Sequence, residues 1–336
     1  MPPRADSKRR CETRLVCVTV VLSLLGWFVW LTPPVGLRSR EASPVRRKPG
    51  ANVWLPQPPM LYGTAWKKGE TADLVAAAVR AGFRAFDTAC QPRHYREDLV
   101  GEGIASAAAE VNLQRRDFYL QTKFTPETGQ DPTTTPYRRG APPATQARQS
   151  LNASLHNLRT WYVDAWLLHS PLESHTATMA AWREMERLHH LGYARRLGVS
   201  NFYDLAELER LYAEAAIKPS ILQNRFTRST ANFDETLRKF CRAHGIQFQA
   251  FWTLTGNGEE LSRPKVQAAY DIVRAAGNVT TREQFWLRFL VDSGITPVVG
   301  PRSVNHVEHD VAVAVGAVPR LGHSALRELQ SEVFRS

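Results

Sequence analysis

Cysteine is scarce in this 336-residue chain, with four in all. Cys11 and Cys17 belong to a basic and apolar N-terminal stretch, which leaves Cys90 and Cys241 for the rest. Two cysteines make no disulfide framework, and no Cys/His spacing of the zinc kind occurs, so no metal site is expected. Cys90 has no evident base partner and reads as a packing residue. Glycine-rich phosphate loops are missing too: no G-x-G-x-x-G fingerprint of the Rossmann kind is present. A hydrolase or lyase would want a carboxylate pair at the ends of apolar runs, and only Asp87 stands there. Positive charge is short where nucleic acid would need it. The formal net charge is +11, but residues 1–48 hold ten Lys/Arg against three Asp/Glu. The remaining 33 against 29 offer no basic stripe, so no nucleic-acid partner is expected.

The N-terminal stretch has its own logic. Residues 1–14 carry Arg4, Lys8, Arg9, Arg10 and Arg14, and Leu15 to Leu31 follows without a charge. That run sits at the lower edge of what spans a bilayer. It ends in Trp27-Phe28-Val29-Trp30-Leu31, whose tryptophans suit a membrane interface, rather than in a small-residue cleavage site. It reads as an uncleaved transmembrane signal anchor over 15–31, with a linker over 32–58. The count of Lys and Arg is five on each side, so it does not orient the span. A short basic N-terminus kept in the cytosol would put the body in an endomembrane lumen (ER or Golgi). The sequons at Asn152 and Asn278 would matter only there.

From residue 59 to 336 the chain repeats one arrangement about eight times. Short apolar runs end in polar residues: Phe86 in Asp87, Tyr119-Leu120-Gln121-Thr122 in Lys123, Leu167-Leu168 in His169, Gly198-Val199 in Ser200-Asn201, and Ile221-Leu222 in Gln223-Asn224. Ala250 leads to Phe251-Trp252, and Val298-Val299 to Arg302-Ser303. Longer stretches between them have helical spacing, clearest over 72–81, 145–158, 176–191, 205–215 and 282–293. Strand, polar tip and helix in alternation predict a (β/α)8 TIM barrel, an α/β fold whose active sites lie on the C-terminal rim of its strands. Here it is preceded by the N-terminal transmembrane helix. Residues 131–145, with four prolines, predict a long rim loop, and 257–264 a second flexible one. The tail over 319–336, helical over 325–334, is brief and predicts an open pocket.

In this order, the tips resemble the aldo-keto reductase family. Gly63-Thr64-Ala65-Trp66 is similar to its G-T-x-W, and Phe86-Asp87-Thr88-Ala89 with Val100-Gly101-Glu102-Gly103 to its second strand and helix. Leu168-His169-Ser170-Pro171 is similar to its L-I-H-x-P. Gly198-Val199-Ser200-Asn201-Phe202 resembles its G-V-S-N-F, Gln223-Asn224 its Q-N pair and Pro301-Arg302-Ser303-Val304 its P-K-S-V. Each motif alone is moderately specific; six in family order across nearly the whole barrel is a strong signal.

The resemblance implies reduction of an aldehyde or ketone by NADPH, with Asp87, Tyr95, Lys123 and His169 as catalytic residues. The family's tyrosine commonly follows its aspartate by five residues. Here position 92 is proline and Tyr95 follows Asp87 by eight, with His94 the alternative occupant. The residue types suit the chemistry. A tyrosine hydroxyl ionises near pH ~10, and a cation beside it favours the phenolate. Lys123 can supply that charge while Asp87 holds and orients it, and His169 can donate to the carbonyl oxygen. The resemblance further implies Ser200, Asn201 and Gln223 at the nicotinamide carboxamide and Phe251, with Trp252 beside it, on the ring. Arg302 and Ser303 would meet the 2′-phosphate, where a guanidinium fork fits well. Asn305-His306-Val307-Glu308 stands where the family has a further arginine, which leaves NADH open as a cofactor. A second function stays open: a barrel that binds cofactor without turnover and serves as a sensing or regulatory subunit.

Overall fold

The computed structural model describes residues 55–277 and 279–334. The basic segment, the transmembrane anchor and nearly all of the linker lie outside the described residues. Among the described residues no helix is long and apolar enough to cross a membrane. Of the two sequons, Asn152 is exposed on a helix, and Asn278 lies outside the description.

Eight strands build the centre: β1 (Leu61–Gly63), β2 (Ala85–Asp87), β3 (Tyr119–Phe124), β4 (Ala165–Leu168), β5 (Leu197–Ser200), β6 (Ile221–Arg225), β7 (Gln247–Phe251) and β8 (Ile295–Val299). Each pairs in parallel with the next, and β8 closes on β1 through Leu61 opposite Val298 and Tyr62 opposite Val299. The expected (β/α)8 barrel is therefore the observed one. Among the described residues eleven α-helices accompany it: α1 (Thr71–Ala81), α2 (Glu97–Glu110), α3 (Pro143–Asn157), α4 (His175–His190), α5 (Leu205–Glu214), α6 (Ala231–His244), α7 (Gly258–Leu261), α8 (Pro264–Ala275), α9 (Arg282–Asp292), α10 (Val304–Ala314) and α11 (His323–Phe334).

Local chemistry sets several of these ends. Ser174, Asp204 and Thr281 cap α4, α5 and α9 by accepting from the backbone amides of Ala177, Ala206 and Gln284. Pro143 opens α3 where a missing amide proton costs nothing. The 257–264 segment differs from the flexible loop expected of it. The Asn257 side chain is buried and donates to the carbonyls of Phe226 and Thr253, and Glu260 pairs with Arg228, so the segment folds into the single turn of α7. The tail also docks. Arg228 donates to Val333 O and Asn232 to Phe334 O, which seats α11 against the α6 side of the barrel.

Two apolar layers follow from strand alternation. Leu61, Ala85, Tyr119, Ala165, Leu167 and Ile221 fill the barrel floor. Their neighbours in sequence, Phe86, Leu120, Trp166, Leu168 and Leu222, face the helices and join a larger core with Trp182 and Trp286. At the N-terminal end of the strands, fully buried Asp164 accepts from Arg115 at 2.7 Å and Arg195 at 2.9 Å, and both guanidiniums lie over the Tyr162 ring, 4.0 and 3.9 Å from its centroid. This end serves stability and leaves the other rim for chemistry.

The α1–α2 contact depends on Gly103, where an added Cβ would meet the Ala72 carbonyl oxygen at 2.4 Å and the Val75 Cβ at 3.0 Å. Gly103→Ala is expected to cost about 1–3 kcal/mol through this overpacking, lowering the calorimetric Tm by several degrees. Gly258→Ala, whose Cβ meets nothing within 4 Å, serves as the control. Equal Tm values for the two variants would contradict this account of the contact.

Candidate active site

The alternation that fills the floor also selects what lies above it. On β2, Phe86 faces outward, so Asp87 faces the lumen; β3 sends Gln121 and Lys123 inward, β6 Gln223, and β7 Gln249 and Phe251. Above the apolar floor lies a polar layer of Asp87, Gln121, Gln223 and Gln249, all buried. Lys123 sits one step higher.

Lys123 Nζ donates to Asp87 Oδ2 at 2.7 Å and to the Thr88 carbonyl at 2.9 Å, with side-chain exposures of 1% and 4% for the lysine and the aspartate. A pair so buried is tolerable only when the remaining lone pairs are satisfied. Asp87 Oδ1 accepts from Gln121 Nε2 at 2.7 Å and Gln223 Nε2 at 3.0 Å. Gln249 Oε1 accepts from the same two nitrogens at 2.7 and 2.9 Å, and its Nε2 returns a bond to Gln121 Oε1 at 3.0 Å. Three amides thus hold one carboxylate. Gln121 and Gln249 were not singled out in the sequence, although each stands two residues before a rim position, where alternation puts it on the same face.

The turn after β2 carries Tyr95 to this pair. Gln130 donates to Cys90 O at 2.8 Å, Gln91 to Gly129 O at 2.6 Å, and the amides of His94 and Tyr95 both reach Gln91 O at 3.0 Å. The longer spacing from Asp87 is taken up in this pinned turn. Lys123 Nζ lies 5.4 Å from the Tyr95 ring centroid, and the Tyr95 and His169 rings meet edge to face at 6.1 Å. Burial, then the Asp87 carboxylate, push the Tyr95 hydroxyl above its ordinary range. This reverses the lowering expected from a lysine contact, because Asp87 already compensates the Lys123 charge and the ring has lost its water.

His94 is engaged elsewhere. Its ring lies tilted against Trp66, 3.9 Å between centroids, and burial together with Arg93 lowers its pKa. Gln91 Nε2 is committed to Gly129 O, so Gln91 Oε1 faces His94 Nδ1 at 3.0 Å and accepts its single proton. His169 is held well below its ordinary range by burial, then by Lys123 and His94. Its Nδ1 meets Thr125 Oγ1 at 2.6 Å. Thr125 is itself fixed, its carbonyl accepting from Tyr137 at 2.7 Å and Gln130 at 3.3 Å, both from the long rim loop. Cys90 is buried with its thiol pushed up chiefly by burial and donating to Ser150 O, an inert packing position.

The residues expected at a cofactor do not all converge. Ser200 donates to Gln223 O at 2.7 Å, and Asn201, at a left-handed φ of 57°, donates to His169 O at 2.8 Å, so these three adjoin the catalytic candidates. Gln223 turns its amide nitrogen to Asp87 and Gln249. Phe251 faces the lumen and packs in neither apolar core, whereas Trp252 is exposed over Arg225, whose guanidinium is 4.2 Å from its ring. Arg302 and Ser303 lie further off at the start of α10. Ser303 Oγ caps that helix by accepting from His306 N, and Arg302 pairs with Glu70 and donates to Trp66 O at 2.7 Å. Lys67, lowered to about 8 by burial and then Arg302, donates to the carbonyls of Gly300 and Pro301 at 3.1 and 3.2 Å. Those bonds join the β1 and β8 tips.

A cavity of about 310 Å³ opens beside Tyr95, lined by Trp66, Lys68, Gly69, Pro92, Arg93, His94 and Arg96. A larger concavity of about 390 Å³ lies at the opposite end of the barrel, around Pro58, Gly245 and Gly294, and holds none of the rim residues. Of the two, the smaller one includes a catalytic candidate, Tyr95, in its lining. Among the described residues no group of His, Cys, Asp and Glu could hold a metal ion.

The arrangement has relatives. The profile of the Aldo/keto reductase family matches residues 59–329. An NADPH-dependent alpha-keto amide reductase of Saccharomyces cerevisiae is 27% identical over 252 residues, covering 70% of this chain and 74% of that one. A D-galacturonate reductase of Fragaria ananassa is 30% identical over 243 residues, covering 67% and 70%. Among solved structures, an aldo/keto reductase from Brucella melitensis superposes with a TM-score of 0.65 at 25% identity over 82% of this chain and 94% of that one. A Bombyx mori aldo-keto reductase in complex with NADP gives 0.64 at 23%, over 81% and 88%, a likeness of fold. With the match spanning the whole barrel, the chain is a member of the aldo/keto reductase family.

Proposed function

We propose that this chain reduces an aldehyde or ketone to an alcohol with NADPH. The observation that carries the proposal is the meeting of the Asp87–Lys123 pair, Tyr95 and His169 at one rim. NADPH, when bound, supplies the hydride to the carbonyl carbon. Tyr95 gives the oxygen its proton. Its raised pKa keeps the hydroxyl protonated, and an alkoxide is the stronger base, so transfer runs toward the alcohol. Neutral His94 has its only proton on Gln91, which favours Tyr95 as the acid.

His169 orients the carbonyl. In this reading Thr125, 2.6 Å from Nδ1, is assigned as the donor, which leaves the ring proton on Nε2 for the substrate oxygen. For the cofactor, Phe251 offers a lumen-facing ring and Ser200 and Asn201 the polar groups beside it. The N-terminus of α10 with Arg302 suits a phosphate. The fit is good at the nicotinamide end. Glu70 on Arg302 tempers it at the 2′-phosphate and keeps NADH open as an alternative. The sensing-subunit reading has no comparable support, since all four candidate groups are present.

We further propose that residues 15–31 anchor the chain in an endomembrane with the barrel in the lumen. Support comes from the uncharged run between basic flanks. Carbonate extraction that releases the full-length chain, or protease digestion of the barrel in sealed microsomes, would argue against it.

Purified full-length chain in detergent, given an aromatic aldehyde, is expected to consume NADPH at 340 nm, and Tyr95→Phe to lose about 10²–10⁴-fold in kcat. Undiminished turnover in the variant would remove Tyr95 from the acid role. Thr125→Val is expected to lower kcat roughly 5- to 30-fold, about 1–2 kcal/mol, with Thr125→Ser restoring it; a change in KM alone would disprove the tautomer role. Because His169 is depressed and Tyr95 raised, neither changes charge between about pH 6 and 9. The reduction kcat should be flat there, and an inflection near ~6.5 would indicate that His169 titrates normally.

A further inference from the structure

The cavity beside Tyr95 is lined by the cations Lys68, Arg93 and Arg96 and by no carboxylate. Glu70 pairs with Arg302 and Asp98 with Arg96 at 2.7 and 2.9 Å, while Asp131, bonded to the Thr133 amide and hydroxyl at 2.8 and 2.7 Å, keeps its charge and is felt by Arg93 from outside the cavity lining. Asp98 thereby neutralises Arg96. Lys68, on the β1 loop, and Arg93, on the β2 loop, both line the cavity, and among the described residues neither forms an ion pair within 4 Å. Lys67 is turned away to the Gly300 and Pro301 carbonyls. Trp66 lines the same cavity, 57% exposed although its ring lies tilted against His94, and offers an apolar wall. Lys68 and Trp66 have left-handed φ values of 52° and 63°, a backbone that costs energy and is held by Trp66 N bonding to His94 O at 2.8 Å.

Resting on the reductase reading, we propose that this pocket selects carbonyl substrates bearing an anionic group, a carboxylate, seated between Lys68 and Arg93 with the substrate body against Trp66 and its carbonyl at Tyr95. Lys68 and Arg93 are specificity residues; they touch neither the carbonyl nor the proton path. The cations act through a site open to water, so the preference is moderate and sensitive to salt.

Full-length chain in detergent would be given NADPH with 4-carboxybenzaldehyde or its methyl ester, which differ by one charge, each kcat/KM being divided by that aldehyde's own rate of reduction by borohydride. Wild type is expected to favour the acid by roughly tenfold in kcat/KM, about 1.4 kcal/mol, carried in KM and shrinking as sodium chloride rises from about 20 to 300 mM. In Lys68→Gln and Arg93→Gln the ratio should fall toward one, while Lys265→Gln, at the distant Glu332 pair, leaves it unchanged. A wild-type ratio of one or less overturns the proposal. So does a loss of NADPH affinity in the two variants, measured by tryptophan quenching, with the ratio intact, since the cations would then serve cofactor phosphates. Terephthalate quenching of tryptophan fluorescence reads the site without turnover. Binding that depends on Lys68 and Arg93 in a chain that reduces neither aldehyde would sustain the anion site while ending the reductase reading, and absence of both turnover and binding would end both.

Discussion

A lysine and an aspartate buried together inside a barrel constrain nearly everything around them. Neither side chain reaches water, so the second oxygen of Asp87 must find donors inside the protein. Gln121 and Gln223 supply them, and Gln249 holds both amides in place. The parallel register is what permits this: Gln121 lies opposite Ala165 in one direction and Asp87 in the other, and Gln223 lies opposite Gln249. A slip of one residue in any of these strands would turn its amide outward and leave a buried charge unsatisfied. The polar layer therefore fixes register as firmly as the apolar floor beneath it.

The same pair determines how its neighbours behave. Because Asp87 answers the charge of Lys123, Tyr95 feels burial more than the cation and keeps its proton. His169 sits beside the lysine in a dry place and stays neutral. Under the proposed reading each is thereby kept in the protonation state its role requires, Tyr95 to transfer a proton and His169 to orient the carbonyl. The rim loops complete the arrangement. The turn over residues 90–96 is clamped to the long loop by Gln91 and Gln130, and that loop in turn fixes Thr125 against His169. Loops are ordinarily the mobile part of a barrel; here side-chain amides bind two of them into one frame around the site.

Much of this was legible in the residues. Asp87, Lys123 and His169 each close an apolar run, and period-two alternation alone puts them at strand ends on the lumen side. Tyr95 was harder, because its spacing from Asp87 is unusual and a loop residue has no periodicity to place it; bonds from Gln91 and Gln130 settle where it sits. Gln121 and Gln249 were readable in principle and were passed over because they lie inside runs. The 257–264 segment was misread as flexible, since nothing local announces that Asn257 will be buried or that Glu260 will meet Arg228. Arg302 was expected to wait for a phosphate, and its pairing with Glu70, 232 residues away in sequence, is a contact that only closure of β8 on β1 creates.

What the sequence by itself determined is the alternation: eight short apolar runs tipped with polar residues, helical stretches between them, and an uncharged N-terminal run set apart by its basic flanks. These are properties of neighbours along the chain, and elementary periodicity reads them. Tertiary structure alone decided the charges and the donors: that Tyr95 is pushed up rather than down, that His94 donates its hydrogen bond to Gln91, that Arg302 meets Glu70, and that Lys68 and Arg93 line a cavity whose walls hold no carboxylate. Such outcomes depend on desolvation and on distances of a few ångströms between residues far apart in sequence, and these exist only once the barrel has closed.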